Sequence, residues 1–540
     1  MGHNMADSPE EEFLRTPSTQ EHELVNRNTS VYNPLETFRL PPGGERQYQQ
    51  QYGDMYFLRL AKLKPAVEKV ATEAWEGFNI AGERAHRVER VLDVRQGEPC
   101  WVAGTIYMEM PLKPNILDDL TKDNFTTAPP PRKTYQDPSH PELTEIMLED
   151  ESGRLRLTGS KLRSVQLATG AIIAVLGMEN ADGDFEAIDI KVPDLARQPS
   201  RWERDSAPSD LRRGKIALVS GLGITGTSSD SLALELLTDY ILGYTGSSSK
   251  EDGSPPVASA ITRLVIAGNS LGAKTIEVAS ATDGAAGKKI AQAKKYGYDA
   301  SAYNASPITQ LDSFLAELLP SIPITLMPGE SDPANFALPQ QPIHRAMFPR
   351  ARAYCAAPPA GEEKPEPGWF DSVTNPWEGD VEGWRLLGSS GQNVDDVLRY
   401  LDFADEDGNV DTEGDTEARI RVMEAMLRWR CGVPTAPDTL WSYPFQTHDP
   451  FVMQSCPHLF FAGNQPRFRT AIVEGDTPFK LNGEDTEMGG TATDEQNFPN
   501  VRLISIPKFR ETGELILVDT ETLEVEVVRF GAFAGKQEKQ

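Results

Sequence analysis

Residues 324–333 read Ile-Thr-Leu-Met-Pro-Gly-Glu-Ser-Asp-Pro. A short apolar run that stops at turn-forming residues is typical of a buried strand in a parallel sheet. Similar strand ends occur at four other places, in the order Val219-Ser220-Gly221-Leu222-Gly223, Ile266-Ala267-Gly268-Asn269-Ser270-Leu271, residues 388–393, and Phe461-Ala462-Gly463-Asn464-Gln465-Pro466. These five strand ends are the most specific signal in the chain.

Around these strand ends, strands alternate with helical patterns from residue 215 onward. We predict strands at 215–220, 263–267, 324–327, 458–462, 501–506, 514–518 and 523–529, and helices at 230–242, 308–319, 394–401 and 417–430. This order predicts a mixed sheet or sandwich with helices outside it.

The preceding residues follow a different pattern. Short strand candidates occur at 90–95, 100–108, 142–157 as a hairpin, 171–178 and 185–191. Five strands in so short a stretch suit a small closed barrel of the OB type. A helical apolar pattern over residues 55–75 precedes them, and we expect Pro65 to kink or split that helix.

The chain is therefore predicted to be α/β plus all-β, with three parts. These are a mostly mobile tail over residues 1–50 with a short anchor near 32–40, a helix and OB domain over 51–198, and an α/β domain over 199–540. Four polar stretches are expected to be solvated loops or insertions. They are a loop at 118–141, a Ser/Pro-rich stretch at 247–256, and acidic insertions at 402–417 and 474–500.

Composition limits the function classes. The 540 residues include 53 basic and 81 acidic side chains, a net charge of −28, which repels the phosphate backbone of nucleic acids. The barrel strands carry few aromatic residues, so direct DNA binding by the barrel is not favoured. No apolar run approaches the roughly 20 residues of a membrane helix. The absence of a secretory signal and four scattered cysteines indicate a reducing compartment, the cytosol or nucleus.

Two local motifs suggest a bound cofactor or metal. The segment Gly221-Leu222-Gly223-Ile224-Thr225-Gly226 matches a dinucleotide-binding turn, but the next strand ends without the acidic residue that would hold a ribose. His448, Cys456 and His458 could be zinc ligands, although no fourth ligand has suitable spacing. A glycine-rich turn and a buried strand start are the favoured interpretations, and no cofactor is expected.

The series of strand ends resembles the calcineurin-type phosphoesterases, in which such ends present acids and histidines to two metal ions. Most ligands of that family have no counterpart here. Gly221 and Gly223 stand at the first motif, and Asn269 and Gly272 at the second.

At the third motif Glu330 and Ser331 replace the Asn and His of the family, so that Asp332 is the one acid in place. The fourth region has no histidine, and the final histidine pair is replaced by Asn464 and Pro466. Because two metals need a ring of carboxylates and imidazoles, the resemblance implies an inactive, metal-free phosphoesterase.

Longer motifs resemble the second (B) subunits of eukaryotic DNA polymerase delta. They include residues 327–333, Leu338-Pro339-Gln340-Gln341-Pro342, Gly391-Gln392-Asn393-Val394 and Cys456-Pro457-His458. This resemblance implies a nuclear, non-catalytic scaffold in DNA replication and repair, with an OB barrel docked on the phosphoesterase domain. It implies binding to the C-terminal region of the catalytic subunit and to a third subunit, with a similar role in polymerase zeta.

We therefore predict that Asn269, Glu330, Asp332 and Asn464 have structural hydrogen-bonding roles. Two alternatives stay open. One is a residual single-metal phosphoesterase or exonuclease that uses Glu330 and Asp332, and the other is a dinucleotide-dependent oxidoreductase built on the glycine turn at residues 221–226.

Overall fold

The structure is a computed structural model that describes residues 27–46, 52–80, 82–114, 133–137, 139–204, 207, 214–227, 231–244, 257–272, 304–357, 367–401, 412–476 and 498–530. These residues form an N-terminal segment, a small barrel and a larger region with two sheets. None of the described helices is both long and apolar enough to cross a membrane.

The N-terminal segment, residues 27–46, lies against the two-sheet region and contains strand β1 (Tyr32–Pro34). β1 pairs in antiparallel fashion with residues 379–381. Phe38 is buried and its ring lies 6.2 Å from that of Phe451. Residues 27–46 of the predicted tail 1–50 therefore pack on the rest of the chain, and residues 1–26 and 47–50 lie outside the described residues.

The barrel region begins with one long helix. Its elements are α1 (Gly53–Trp75), β2 (Asn79–Ile80), β3 (Glu83–Arg84), β4 (His86–Arg87), β5 (Cys100–Glu109), β6 (Glu145–Glu149), β7 (Arg154–Thr158), β8 (Ile172–Glu179) and β9 (Phe185–Lys191). β5 pairs with both β6 and β8, and β9 pairs with both β7 and β8, so the strands close on themselves. Leu155 and Leu157 are buried while Arg154 and Arg156 are exposed, as the alternation in the sequence predicts.

The two-sheet region contains eleven strands of its own. Its elements are β10 (Lys215–Val219), α2 (Ser231–Leu242), α3 (Val257–Ala260), β11 (Ile261–Ala267), α4 (Ser306–Leu318), β12 (Ile324–Met327), β13 (Phe370–Ser372), β14 (Trp377–Val381), β15 (Trp384–Ser389), α5 (Gln392–Leu398), α6 (Thr412–Arg428), β16 (Leu459–Gln465), β17 (Arg469–Glu474), β18 (Asn500–Pro507), α7 (Phe509–Thr512), β19 (Glu514–Asp519) and β20 (Val525–Arg529). One sheet has the order β13-β12-β11-β10-β19-β20, and the other has the order β1-β14-β15-β16-β18-β17.

The two sheets pack face to face. Leu218 and Val265 of the first sheet share an apolar core with Phe461 and Ile504 of the second. The outer face of the first sheet is covered by α2 and α4, and the outer face of the second by α5 and α6. The predicted sandwich with helices outside is present. Strands β10 to β13 are parallel, as are β15, β16 and β18, so the predicted strand ends meet at one edge.

The barrel and the two-sheet region meet along a buried seam. The guanidinium of Arg59, in α1, donates to Asp449 Oδ2 at 2.9 Å and to the carbonyls of Pro434 and Ala436. A second contact comes from Tyr135, whose hydroxyl donates to Asp396 at 2.8 Å. Both pairs are buried, so the two regions share polar contacts as well as an apolar core.

Four local predictions need correction. The predicted strand at residues 90–95 is instead a 3-10 helix, Val91–Asp93, because the Asp150 carboxylate accepts from the backbone N–H of Val91. The predicted split at Pro65 is absent, because α1 runs unbroken from Gly53 to Trp75 and buries residues on both sides of Pro65, while the predicted kink stays a prediction. The loop 118–141, predicted to be solvated, packs against the protein at Tyr135, which is buried. Residues 133–137 and 139–141 of this loop are described, and residues 115–132 and 138 lie outside the described residues.

The fourth correction concerns the acidic insertion at 402–417. Residues 412–417 form the first turns of α6 and are not part of a loop. Residues 402–411, 477–497 and 245–256 lie outside the described residues.

Candidate functional site

The predicted site positions meet at the carboxyl ends of β10, β11, β12, β15 and β16. Together with Ser390 of the fourth strand end, we call them the strand-end cluster; the predicted positions are Gly221, Gly223, Asn269, Gly272, Glu330, Ser331, Asp332, Asn464 and Pro466. The backbone N–H of Gly221 donates to Gly268 O at 2.9 Å, and that of Gly223 donates to Asn269 O at 3.1 Å. The first two strand ends are thus joined by main-chain bonds.

The two glycines after β10 have a left-handed backbone and no room for a side chain. Both have φ of +60°. A Cβ atom at Gly221 would lie 2.9 Å from Asn464 Oδ1, and one at Gly223 would lie 2.7 Å from Arg510 Cδ. Glycine adopts this conformation without strain and leaves the space that these neighbours occupy. The space that ligand side chains would need at these positions is filled by neighbouring residues.

Arg510, in α7, covers the same strand ends. Its guanidinium donates to the carbonyl of Gly223. A Cβ atom at Gly272 would also lie 3.2 Å from Arg510 Nη1. A cationic side chain therefore stands over positions 223 and 272, which the resemblance identified as former ligand positions.

Asp332 is buried and its carboxylate is used entirely within the protein. It accepts from the backbone N–H groups of Ser270, Leu271 and Gly329 at 2.9–3.2 Å. Burial raises the pKa of Asp332 to about 6, although these backbone donors act in the opposite direction. The carboxylate connects the ends of β11 and β12.

Two asparagines hold the neighbouring strand ends. Asn269 Oδ1 accepts from the backbone N–H of Ser331 at 3.2 Å. Asn464 Nδ2 donates to Ser390 O at 2.9 Å and to Ala267 O at 3.3 Å, which links the two sheets. Glu330 and Pro466, in contrast, are exposed at the rim of the cluster.

An amide network beside the cluster was not predicted from the sequence. Asn375 Nδ2 lies within 3.0 Å of Gln340 Oε1, Ser390 Oγ and Gln392 Oε1. The motifs contain Gln340 and Gln392, but their partner Asn375 belongs to none of them. No local spacing could have revealed it.

These residues do not fit a two-metal centre. Among the residues that the structure describes, no three His, Cys, Asp or Glu side chains lie together as metal ligands would. The acid in place, Asp332, has its oxygens occupied by main-chain donors, and the cationic side chain of Arg510 covers positions 223 and 272. We therefore derive no chemical step through a metal at this cluster.

The residues proposed for a zinc site and for a dinucleotide-binding turn also have structural explanations. His458 is buried beneath Trp384, its Nδ1 accepts from the backbone N–H of Arg385, and burial lowers its pKa to about 4. The glycine turn at 221–226 ends against α4, where a Cβ atom at Gly226 would lie 2.6 Å from Ser306 Oγ. That crowding leaves little space for a pyrophosphate.

Two family models match the chain. The model for the OB-fold domain of the DNA polymerase delta subunit matches residues 51–190, which contain the barrel. The model for the B subunit of DNA polymerase alpha/epsilon matches residues 216–470, which contain most of the two-sheet region.

Curated relatives cover nearly the whole chain. The DNA polymerase delta small subunit of Saccharomyces cerevisiae is 34% identical, over 97% of this chain and 97% of that protein. The small subunit of Arabidopsis thaliana is 33% identical, over 94% of this chain and 97% of its own length. DNA polymerase delta subunit 2 of Drosophila melanogaster is 32% identical, over 95% of this chain and all of its own length. Together with the barrel and the two-sheet region, these matches show that the chain belongs to the family of DNA polymerase delta small subunits.

Proposed function

We propose that this chain is a non-catalytic scaffold subunit of a nuclear DNA polymerase delta, with a similar role in polymerase zeta. It would join the C-terminal region of the catalytic subunit to a third subunit during DNA replication and repair. The observation that carries the proposal is the filled strand-end cluster. The positions that would present metal ligands are occupied by crowded glycines, by amides that hydrogen-bond to backbone groups of neighbouring strand ends, and by one carboxylate bound to main-chain N–H groups. A calcineurin-like two-sheet core would then serve as a framework and not as a catalyst.

Exposed apolar residues supply candidate contact positions for a scaffold. Among the described residues, seven large apolar side chains are at least half exposed: Phe57, Leu92, Leu143, Leu232, Tyr244, Phe336 and Ile472. They lie on both the barrel and the two-sheet region. Scattered apolar residues do not by themselves mark an interface, so substitution at these positions is needed to locate one.

The barrel surface supports only indirect contact with DNA. Trp101 and Phe185 are buried in apolar cores. The ring of Tyr107 is flanked by Lys113 at 4.4 Å and Arg154 at 4.6 Å, so its faces are already covered. Stacking on single-stranded bases needs free aromatic faces.

Assembly can be tested by co-expression with the C-terminal region of a polymerase delta catalytic subunit, followed by size-exclusion chromatography. We expect one co-eluting complex. Glutamate substitutions at the seven exposed apolar residues map the interfaces, and Lys62→Glu is the matched control for Phe57→Glu because both positions are exposed on α1. Separate elution of two folded proteins would contradict the scaffold proposal.

Metal analysis tests the competing phosphoesterase or exonuclease function. The purified full chain would be incubated with manganese, iron or zinc, gel-filtered and analysed for bound metal. We expect far less than one equivalent, because the described carboxylates do not form a ligand set. Retention of about one equivalent, lost in Asp332→Ala together with phosphodiesterase activity, would favour the enzyme instead.

A further inference from the structure

Residues 27–40 of the N-terminal segment, which we call the strap, touch three parts of the fold in turn. At the start of the strap, Arg27 donates to the carbonyl of Ile261, in β11 of the first sheet, at 3.1 Å. Its middle, β1, pairs with β14 of the second sheet. Near its end, Phe38 packs against Phe451 in the apolar core that lines the seam. One short segment therefore joins the first sheet, the second sheet and the seam.

The strap is latched to the first sheet by buried polar groups. Arg263, in β11, is 3% exposed, and its guanidinium donates to Ser30 Oγ and to Thr325 Oγ1, both at 3.0 Å. The ring of Tyr32 lies over this guanidinium, with 3.7 Å between the ring centroid and Arg263 Cζ. Tyr32 Oη also donates to Asp371 Oδ2, in β13. Two residues of the strap thus hold a buried cation and an acid of the same sheet.

A latch that buries charges is easier to open than an apolar one of the same size. Burial raises the pKa of Asp371, although Tyr32 and Arg263 act in the opposite direction. Burial also lowers the pKa of Arg263. Both charged groups therefore lose hydration where the strap covers them. Water restores this hydration when the strap opens, which offsets part of the lost contacts.

The other end of the strap contacts a residue that positions the seam. Phe38 is 5% exposed, and its ring lies 6.2 Å from that of Phe451. The backbone N–H of Phe451 donates to Asp449 Oδ1 at 2.9 Å, and Arg59 donates to the other oxygen, Oδ2. A short chain of direct contacts therefore runs from the strap to the guanidinium that links the barrel to the two-sheet region.

We infer that the strap is releasable, and that its opening at Tyr32 loosens the seam and lets the barrel move against the two-sheet region. Opening withdraws Phe38 from Phe451, so the N–H group that holds Asp449 loses its packing support. The sheets keep their own shared core when the strap opens, because that core is formed mainly by strands other than β1. This behaviour belongs to the chain alone and does not depend on the proposed scaffold function.

Hydrogen exchange, measured by mass spectrometry on the full chain, tests the opening. The N–H groups of Val31 and Leu35 donate to Glu382 Oε1 at 3.0 Å and to Glu378 O at 3.2 Å, so their exchange reports opening of the strap. Tyr32→Phe removes the latch hydroxyl and retains the ring. We expect this variant to raise the exchange rate in the strap at least about fivefold.

The same experiment measures the effect on the seam. Peptides that cover residues 449–453 contain the N–H group of Phe451, and we expect Tyr32→Phe to raise their exchange rate about twofold or more. Peptides that cover residues 268–272, in the strand-end cluster, should exchange as in the wild type. Coupling therefore predicts a rise at two distant places and none between the other strand ends.

Ser505→Ala is the matched control for Tyr32→Phe. It also removes one buried hydroxyl donor, which bonds to Arg467 O, and β18 lies on the opposite side of the second sheet from β1. We expect the control to leave exchange in the strap and in residues 449–453 unchanged.

Coupling between two parts of a protein is reciprocal, so a change at the seam should open the strap. Arg59→Lys keeps a positive charge beside Asp449, but lysine cannot reproduce the forked donors to that carboxylate and to the carbonyls of Pro434 and Ala436. We expect exchange in the strap to rise about twofold or more.

Phe38→Leu tests the contact through which the two ends communicate. It removes the ring beside Phe451 while the latch at Tyr32 stays in place. Exchange in residues 449–453 should rise in this variant, and adding Tyr32→Phe should then raise it no further.

Three results would overturn the inference. Unchanged exchange of the strap in Tyr32→Phe would show that the latch does not control its opening. A rise confined to the strap would show that it opens without any effect on the seam. An equal rise in all peptides, including residues 268–272, would show general destabilisation in place of release.

Discussion

Two regions of the molecule bury an aspartate in different ways. In the strand-end cluster, the carboxylate of Asp332 accepts only from neutral main-chain N–H groups. In the seam between the barrel and the two-sheet region, Asp449 pairs with the guanidinium of Arg59 at 2.9 Å. Both aspartates are less than a tenth exposed, so burial alone does not distinguish them.

The difference concerns how each region compensates its buried carboxylate. Main-chain donors fix the conformation of a loop but supply no countercharge. Burial therefore raises the pKa of the Asp332 carboxyl and favours its protonated form. The seam keeps both charges, and breaking a buried pair is costly because one charge is left alone. The comparison indicates that the seam, and not the strand-end cluster, depends on electrostatic pairing.

The largest effect is expected at the seam. Arg59→Met removes the countercharge of Asp449 and the donors to Pro434 O and Ala436 O. We expect the free energy of unfolding to fall by about 3–5 kcal/mol. Denaturation by guanidinium chloride, followed by tryptophan fluorescence, measures this change.

The seam prediction has two controls. Arg87→Met breaks the exposed ion pair with Glu68 and should cost at most about 1 kcal/mol. Arg59→Met combined with Asp449→Leu should recover part of the loss, because no unpaired charge remains. Equal losses of unfolding free energy in Arg59→Met and Arg87→Met would show that the buried pair at the seam contributes no more to stability than an exposed pair.

The next effect concerns the pH dependence of the strand-end cluster. The pKa of Asp332 is about 6 in the folded chain, above its ordinary value of 3.8. The folded state therefore binds the proton more tightly than the unfolded state does. Its contribution to stability is full below pH 4 and is lost as the pH rises through 6, with an amplitude on the order of 3 kcal/mol.

Asp332→Asn isolates this contribution, because asparagine does not titrate. The stability of the wild type minus that of Asp332→Asn should decrease between pH 4 and pH 7, whatever other carboxylates do. Urea denaturation at matched pH values gives the difference. A difference that is constant over this range would mean that Asp332 titrates normally.

The sequence predicts most elements because their patterns are local. Strands β5, β9 and β12 and helix α2 were found from alternation or helical spacing within one segment. Strand β14 was missed because Trp377-Glu378-Gly379-Asp380-Val381 contains acids and a glycine, which suggest a loop. Arg385, in the next strand, lies 3.6 Å from both Glu378 and Asp380 and compensates these acids.

The sequence predicted where the candidate site lies but not which side chains fill it. Motif spacing placed Asn269, Asp332 and Asn464 at strand ends, because each lies in the turn that follows an apolar run. The covering side chain of Arg510 and the amide of Asn375 come from segments far away in sequence, and no local pattern marks them. Packing between distant segments decides what fills the cluster.

The link between the two sheets gives the third prediction. Asn464→Ala removes donors to Ser390 O and Ala267 O and places alanine at φ of +58°. We expect a loss of about 2 kcal/mol in the free energy of unfolding. Asn464→Asp is a useful comparison, because it retains the shape but replaces the donor with an acceptor and should be at least as harmful. An unchanged midpoint in Asn464→Ala would mean that the two sheets do not need this bridge.

The smallest effect separates the two roles of Asn269, its side-chain bond and its backbone conformation. Asn269 accepts from Ser331 N at 3.2 Å and has φ of +51°. Asn269→Gly loses the bond but tolerates the conformation, so we expect a cost of about 1 kcal/mol. Asn269→Ala loses the bond and strains the backbone, which should add roughly 1 kcal/mol more. Thermal unfolding of the two variants, measured side by side, separates the cost of the lost hydrogen bond from the cost of the strained backbone. Equal stabilities would show that the left-handed backbone at this strand end relaxes once the amide is removed.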